Sequence, residues 1–179
     1  MNALGLVEVG TIEEVRRRLF RRDVVVRRRL ADFLVDGVPL QRLADDVLEG
    51  RAPGVVPPLD ADDLWREQFV RRLLGDLPPS ARGGRVELAM CVVCGDLGCG
   101  SLTARLEVGA DVVRWSELGW QTDQYDDEEE VEVLGRREPL PVATVSRLAF
   151  DRRRYEELLV GLLPGPRDEG TGRRSSSPG

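Results

Sequence analysis

The first part of the chain shows two different spacings of apolar residues. Residues 4–9, LGLVEV, form a short apolar run that predicts a strand. The next residues, TIEE, match a helix capping box that begins at Thr11. Apolar residues then recur at helical spacing, which predicts a helix over residues 12–22 with its arginines facing outward. The apolar positions of this helix are Ile12, Val15 and Leu19.

The following stretch has the pattern of a hairpin. Residues from Val24 to Val35 are rich in β-branched side chains, and their second half alternates between apolar and other positions. Asp36-Gly37 is typical of a tight hairpin turn. The next residues, VPLQRLADDVLEG, predict a short strand and then a helix that ends at Gly50.

The middle of the chain predicts a helix between two internal linkers. Residues 51–58, RAPGVVPP, form a linker by composition, and Asp60 is placed to cap the helix that follows. Gly75 ends this helix, and residues 76–84 form the second linker. The predicted buried face of the helix consists of Trp65, Phe69 and Leu73.

Residues 85–118 predict a three-stranded antiparallel meander. Asp96-Leu97-Gly98 suits a three-residue hairpin loop, because glycine supplies the positive φ that the last loop position requires. This loop pairs Gly95 with Cys99, and the resulting register aligns apolar residues on one face. The facing pairs are Val86 and Val108, Leu88 and Leu106, Met90 and Ala104, and Val92 and Leu102.

The opposite face of this hairpin is predicted to be polar and wet. It pairs Glu87 with Glu107, which is unfavourable because like charges then lie directly opposite each other. Gly109-Ala110 fits a two-residue type II′ loop, which adds a third strand with Val113 opposite Leu106. The predicted meander therefore has one buried side.

The C-terminal part predicts a last strand, a closing helix and a disordered tail. VATVSRLAF, residues 142–150, has the pattern of a strand, and Asp151 is placed to cap the helix that follows. Residues 164–179 are rich in Gly, Pro and Ser and predict disorder. Helices that flank an antiparallel sheet define the α+β class, so we expect one α+β domain over residues 1–163. The apolar face of the closing helix is Tyr155, Leu158, Leu159 and Leu162.

Composition excludes several classes of function. The chain has no histidine, which removes the usual general base and excludes a Ser-His-Asp or Cys-His nucleophile within this sequence. A net charge of −6 makes nucleic acid a poor partner, and no nucleic-acid binding is expected. No apolar run suggests a membrane span, and the N-terminal residues do not resemble a signal peptide. Three cysteines without such a signal favour a reducing cytosol, so a cytoplasmic location is expected.

The stretch CVVCGDLGCG contains all three cysteines and allows three hypotheses. In the predicted hairpin, Cys91 and Cys99 lie roughly 13 Å apart along the strand, at about 3.3 Å per residue, so the thiols cannot share a zinc ion. Alternatively, the strand ends at Cys91 and the segment turns as a zinc knuckle. Its ligands would be Cys91, Cys94, Cys99 and Asp96. A thiol redox site is the third hypothesis, which the surrounding glycines disfavour because redox pairs usually open a helix.

Two charged stretches are candidates for binding. RRRLFRRDVVVRRR, residues 16–29, carries eight arginines and one aspartate. It could bind phosphate, but the absence of interleaved aromatic residues favours a solvated helix face followed by a charge-protected strand edge. DQYDDEEEVEV, residues 123–133, carries seven carboxylates without the order of an EF-hand loop. It predicts a solvated loop, an intramolecular partner for the arginines, or a surface that binds a basic protein.

A tryptophan precedes the acidic stretch. Trp120 in ELGWQTD either packs on the edge of the meander or anchors an interface beside carboxylates. The candidate partner-binding residues are Trp120, Asp126, Asp127, Glu128, Glu129 and Glu130.

The cysteine stretch carries a resemblance. The run C-x-x-C-G-D-L-G-C-G, a hairpin ending in V-V-R-W-S, and the F-D-R-x-x-Y-E helix from Phe150 to Glu156 resemble a set of uncharacterised proteins from high-GC bacteria. The resemblance covers about the last hundred residues and implies a shared fold. Some members carry a loose oxidoreductase label, but the resemblance implies no activity, cofactor or catalytic residue.

These observations favour a non-catalytic cytosolic domain that binds a protein partner, with an immunity-like or regulatory role as one form of it. The alternative is a zinc-stabilised version of the same domain, and a thiol-based redox protein comes third. No cofactor other than zinc is expected. The sequence leaves the partner and the oligomeric state open.

Overall fold

The computed structural model describes residues 1–16, 24–43, 55–60, 63–91, 100–121, 140–141 and 147–165. It has two antiparallel sheets with packed helices, so the predicted α+β class is confirmed. The strands are β1 (Leu4–Arg16), β2 (Val24–Val35), β3 (Val38–Pro39), β4 (Val55–Val56), β5 (Val86–Cys91), β6 (Ser101–Val108), β7 (Val112–Gln121), β8 (Leu140–Pro141) and β9 (Arg147–Asp151). The helices are α1 (Asp63–Leu74) and α2 (Arg152–Val160), and a further helical turn begins at Leu40.

The two sheets are joined near the start of the chain. The smaller sheet has the order β1-β2-β3. The larger has the order β4-β5-β6-β7-β8, and β9 also pairs with β7. The backbone N–H of Asn2 donates to the carbonyl of Ala149 at 2.7 Å, and the Asn2 side-chain oxygen accepts from the Ala149 N–H at 2.9 Å. Asn2 therefore ties the start of the smaller sheet to β9.

The predicted turn at Asp36-Gly37 is confirmed. Both residues have positive φ, 52° and 82°, as the central pair of a type I′ hairpin turn requires. The Asp36 carboxylate accepts hydrogen bonds from the Ala3 N–H at 2.7 Å and from the Asn2 side-chain amide at 2.6 Å. These bonds lower the pKa of Asp36, because they favour its ionised form.

The predicted helix over residues 12–22 is wrong for its described part. Residues 4–16 form the single long strand β1, which passes through a bulge at Val9 and pairs with β2 as far as Arg16. A short helix has little stability of its own, whereas β-branched residues gain from cross-strand pairing, here Val15 with Val25. The long-range pairing therefore overrides the local helical pattern. Residues 17–22 lie outside the described residues.

The core is built around Trp115. Its ring meets Phe150 at a centroid distance of 4.9 Å, Phe33 at 5.9 Å and Tyr155 at 6.1 Å. The Trp115 indole N–H donates to the Tyr155 hydroxyl at 3.1 Å, and that hydroxyl donates to the carbonyl of Leu73 at 3.0 Å. Strands of both sheets and both helices thus meet at one buried aromatic cluster.

The two helices follow the predicted pattern with one correction. Phe69 and Leu73 on α1 are buried as predicted, but Trp65 is 37% exposed, so its assignment to the buried face is wrong. Trp65 lies in the first turn of α1, whose residues are more exposed to solvent than those later in the helix. Gly75 has a φ of +82° and ends α1 as predicted. Asp151 caps α2 as predicted, and its side chain accepts from the Arg154 N–H at 3.0 Å.

The meander of β5, β6 and β7 is confirmed, but its predicted register is wrong. Val86 pairs with Ala104 and Met90 with Ser101, whereas the three-residue loop required Val108 and Ala104 as their partners. The register also shifts between Glu87 and Ala89, which marks a bulge in β5.

The reason for the register lies in charge and in turn length. Glu87 now faces Thr103 and Glu107 faces Arg114, so the unfavourable carboxylate pair does not form. The predicted two-residue loop at Gly109-Ala110 is also wrong, because Val108 pairs with Val113. The Gly109 N–H donates to the carbonyl of Val112 at 2.9 Å, which closes a longer turn.

The predicted linkers contain ordered segments. Val56, within residues 51–58, belongs to β4, pairs with Met90 and is buried. Within residues 76–84, Ala81 forms a bridge with Arg85. The predicted helix end at Gly50, the first part of the strand predicted over 142–150 and residues 166–179 of the predicted tail lie outside the described residues.

Candidate functional site

The structure places one cysteine of the CVVCGDLGCG stretch. Cys91 is the last residue of β5, and its backbone pairs with Val55 of β4. Cys94, Asp96 and Cys99 lie outside the described residues. The predicted separation of the thiols depended on the register that proved wrong, so the objection to a shared zinc ion no longer holds. Within the described parts of the chain, no three Cys, Asp or Glu residues form a group that could hold a metal ion.

Trp120 packs on the larger sheet. It is half-buried in β7, pairs with Leu102 and contacts the core. A Cβ atom built on Gly100 would lie 2.5 Å from Cζ2 of the Trp120 ring, and Gly100 has a φ of +100°. Position 100 therefore requires glycine both for its backbone conformation and for the close approach of the ring. The other candidate partner-binding residues, Asp126 to Glu130, lie outside the described residues.

The face of the meander that was predicted to be wet is exposed at Arg105 and Glu107, as predicted, but its other described side chains are buried, and there the prediction is wrong. Arg85, Glu87, Ser101 and Thr103 are all less than a tenth exposed. The Arg85 Nε–H donates to the Thr103 hydroxyl at 2.8 Å, and one terminal nitrogen donates to the Thr103 carbonyl at 3.0 Å. The Thr103 hydroxyl in turn donates to the carbonyl of Gly119 at 3.2 Å. This network links β5, β6 and β7 on one face.

Arg85 also holds an irregular point of β7. It donates to the carbonyl of Glu117 and lies 3.6 Å from a carboxylate oxygen of the same residue, which Arg105 contacts at 2.7 Å. Glu117 has a positive φ of 52°, opposite a register shift in β6. Burial lowers the pKa of the Arg85 guanidinium, and the charge of Glu117 acts in the opposite direction. Because its donors are used within the fold, we interpret Arg85 as a structural residue.

Two buried carboxylates each have an oxygen without a hydrogen-bond partner among the described residues. Glu87 is 6% exposed, and one of its carboxylate oxygens accepts from the Ser80 hydroxyl while the other has no partner. Asp32 is fully buried on β2, where one oxygen accepts from the Gln41 N–H at 2.9 Å and the other has no partner. Burial raises the pKa of Asp32 to about 6, against the lowering effect of the Gln41 N–H. Neither carboxylate adjoins a described group of reactive side chains.

A second feature is the part of the β1–β2 ladder that continues past Gly10 and Leu30. We define the outer ribbon as residues 11–16 of β1 and residues 24–29 of β2. Thr11 pairs with Arg29, Glu13 with Arg27, and Arg16 with Val24. The core residues of this sheet lie at its other end, at Phe33 and Val35. In the described part of the chain, every register pair of the outer ribbon is between its own two strands.

The base of the outer ribbon is exposed and basic. Thr11 is exposed, and the Arg29 side chain is 81% exposed. Among the described side chains, the Arg29 guanidinium lies 4.0 Å from the carboxylate of Glu8, which is itself 57% exposed, so this ion pair contributes little stability. The arginine run drew attention to this part of the sequence, but the predicted helix gave its described residues the wrong secondary structure.

The described residues therefore offer a buried polar network and, at the base of the outer ribbon, an exposed pair of positions, Thr11 and Arg29. The chemistry of the outer ribbon is that of recognition, through backbone edges and guanidinium groups. Within the described residues, neither helix is long and apolar enough to cross a membrane. No protein-family model, no curated protein and no solved structure matches the chain.

Proposed function

We propose that this chain is a non-catalytic cytosolic binding domain that engages a protein partner through the outer ribbon. The observation that carries the proposal is the ladder between β1 and β2, which continues to Arg16 and Val24, whereas the described core residues of this sheet, such as Phe33 and Val35, lie near its other end. A two-stranded hairpin without further support is marginally stable in water. A partner that packs on the ribbon would supply the missing support.

The composition of the outer ribbon supports a protein as the partner. Its paired positions include the valines 24–26 and Ile12 beside the arginines 27–29. Arginine is enriched in protein interfaces, and apolar residues form their cores. A surface that bound only phosphate would not require the apolar positions.

Site-specific crosslinking tests this proposal. A photo-crosslinking amino acid placed at Thr11 or at Arg29 in the host cell should yield one discrete crosslinked protein, identified by mass spectrometry. The control position is Arg153 on α2, whose side chain is 74% exposed. Equal crosslinking from Arg153, or only diffuse products from the ribbon, would contradict the proposal.

The acidic stretch remains a second proposed surface on the same domain. Neutralising Asp126 to Glu130 should weaken capture of a basic partner, because five carboxylates are removed. Undiminished capture by that variant would remove these residues from the proposed interface.

A zinc-stabilised domain is the second candidate function. Met90 pairs with Ser101 and not with Ala104, so the register from which the separation of Cys91 and Cys99 was predicted is not the observed one. Purified protein should then contain about one zinc per chain, and chelation should lower its Tm. Metal-free protein with an unchanged Tm would exclude this candidate.

A further inference from the structure

No further inference is drawn: the strongest candidate, the group of arginines around Ser116 on the face of β6, β7 and β9 opposite the core, lies beside Glu107 and Glu117, and nothing in the structure shows what covers it.

Discussion

The hairpins β1–β2 and β6–β7 have different supports. The ladder between β6 and β7 is packed on one face by the aromatic cluster around Trp115 and on the other by the Arg85 network. The ladder between β1 and β2 is longer, yet among its described side chains the core residues, such as Phe33 and Val35, lie near one end. The difference shows that ladder length alone does not indicate where stability lies, since burial of side chains supplies most of it. Four predictions test how far the two hairpins differ.

The largest effect is expected in the supported hairpin. Trp115→Ala should lower the free energy of unfolding by about 3–5 kcal/mol, because it leaves a large cavity among Phe33, Phe150 and Tyr155. Urea denaturation followed by far-ultraviolet circular dichroism measures this change. The matched control is Trp65→Ala, at a position 37% exposed, which should cost clearly less than Trp115→Ala because part of its ring is already in water. Similar losses from both substitutions would contradict the location of the core.

A pH-dependent effect is expected at the boundary between the outer ribbon and the core. Burial raises the pKa of Asp32 to about 6 from an ordinary value of 3.8, so the native state favours the protonated acid. The contribution of Asp32 to the stability of the native state is therefore greatest below pH 4 and is lost as the pH rises from about 4 to about 6. Asp32→Asn should remove this loss. The free energy of unfolding of the variant minus that of the unaltered chain should therefore be greater at pH 7 than at pH 4, by on the order of 2–3 kcal/mol. Urea midpoints of both proteins across this pH range give the difference.

Asp36 supplies a control of opposite sign for that titration. The N–H groups of Ala3 and Asn2 lower the pKa of this exposed carboxylate. Its contribution is therefore present above pH 4 and is lost as the pH falls below that value. Asp36→Asn should thus be less stable than the unaltered chain at neutral pH, with the difference shrinking in acid. If the difference in stability between variant and unaltered chain changed in the same direction with pH for both substitutions, these assignments would be contradicted.

A smaller effect is expected from one hydroxyl in the core. Tyr155→Phe removes the acceptor for the Trp115 indole N–H and the donor to the Leu73 carbonyl, while the ring remains. The loss should be about 1–2 kcal/mol, because two buried polar groups lose a partner. Burial also raises the pKa of the Tyr155 phenol above its ordinary value, so ultraviolet titration of the native protein should show one tyrosine that resists ionisation. Ionisation of both tyrosines at the ordinary pH would contradict the burial.

The sequence predicted those parts of the fold that depend only on the preferences of neighbouring residues. The Asp36-Gly37 turn and the Asp151 cap follow from preferences that operate over a few residues, and both are confirmed. The strand over Val24 to Val35 was also predicted within its observed bounds. The helix over 12–22 failed because helical spacing at Ile12, Val15 and Leu19 competes with long-range pairing to β2, which the sequence does not reveal.

The candidate site was harder to predict because bulges and burial decide it. The register of β5 and β6 depended on a turn rule, whereas the chain places irregularities after Glu87 and Thr103. Those irregularities let Arg85 reach the Glu117 backbone, a contact that no spacing in the sequence indicates. The arginine run was visible as a candidate, but only the ladder to Arg16 and Val24 shows that it lies on a ribbon.

The smallest effect is expected from removing most of the outer ribbon. Replacing residues 13–27 by Asn-Gly joins the register pair Ile12 and Arg28 through a two-residue hairpin loop. The free energy of unfolding of the remaining domain should change by less than about 0.5 kcal/mol, because the described core residues of this sheet, such as Phe33 and Val35, are kept. In the intact chain, amide hydrogens of the pairs between Glu13 and Arg27 and between Arg16 and Val24 should exchange much faster than those between β6 and β7. A loss of stability comparable to that of Trp115→Ala would mean that the outer ribbon is supported within the chain, which would contradict the proposed interface.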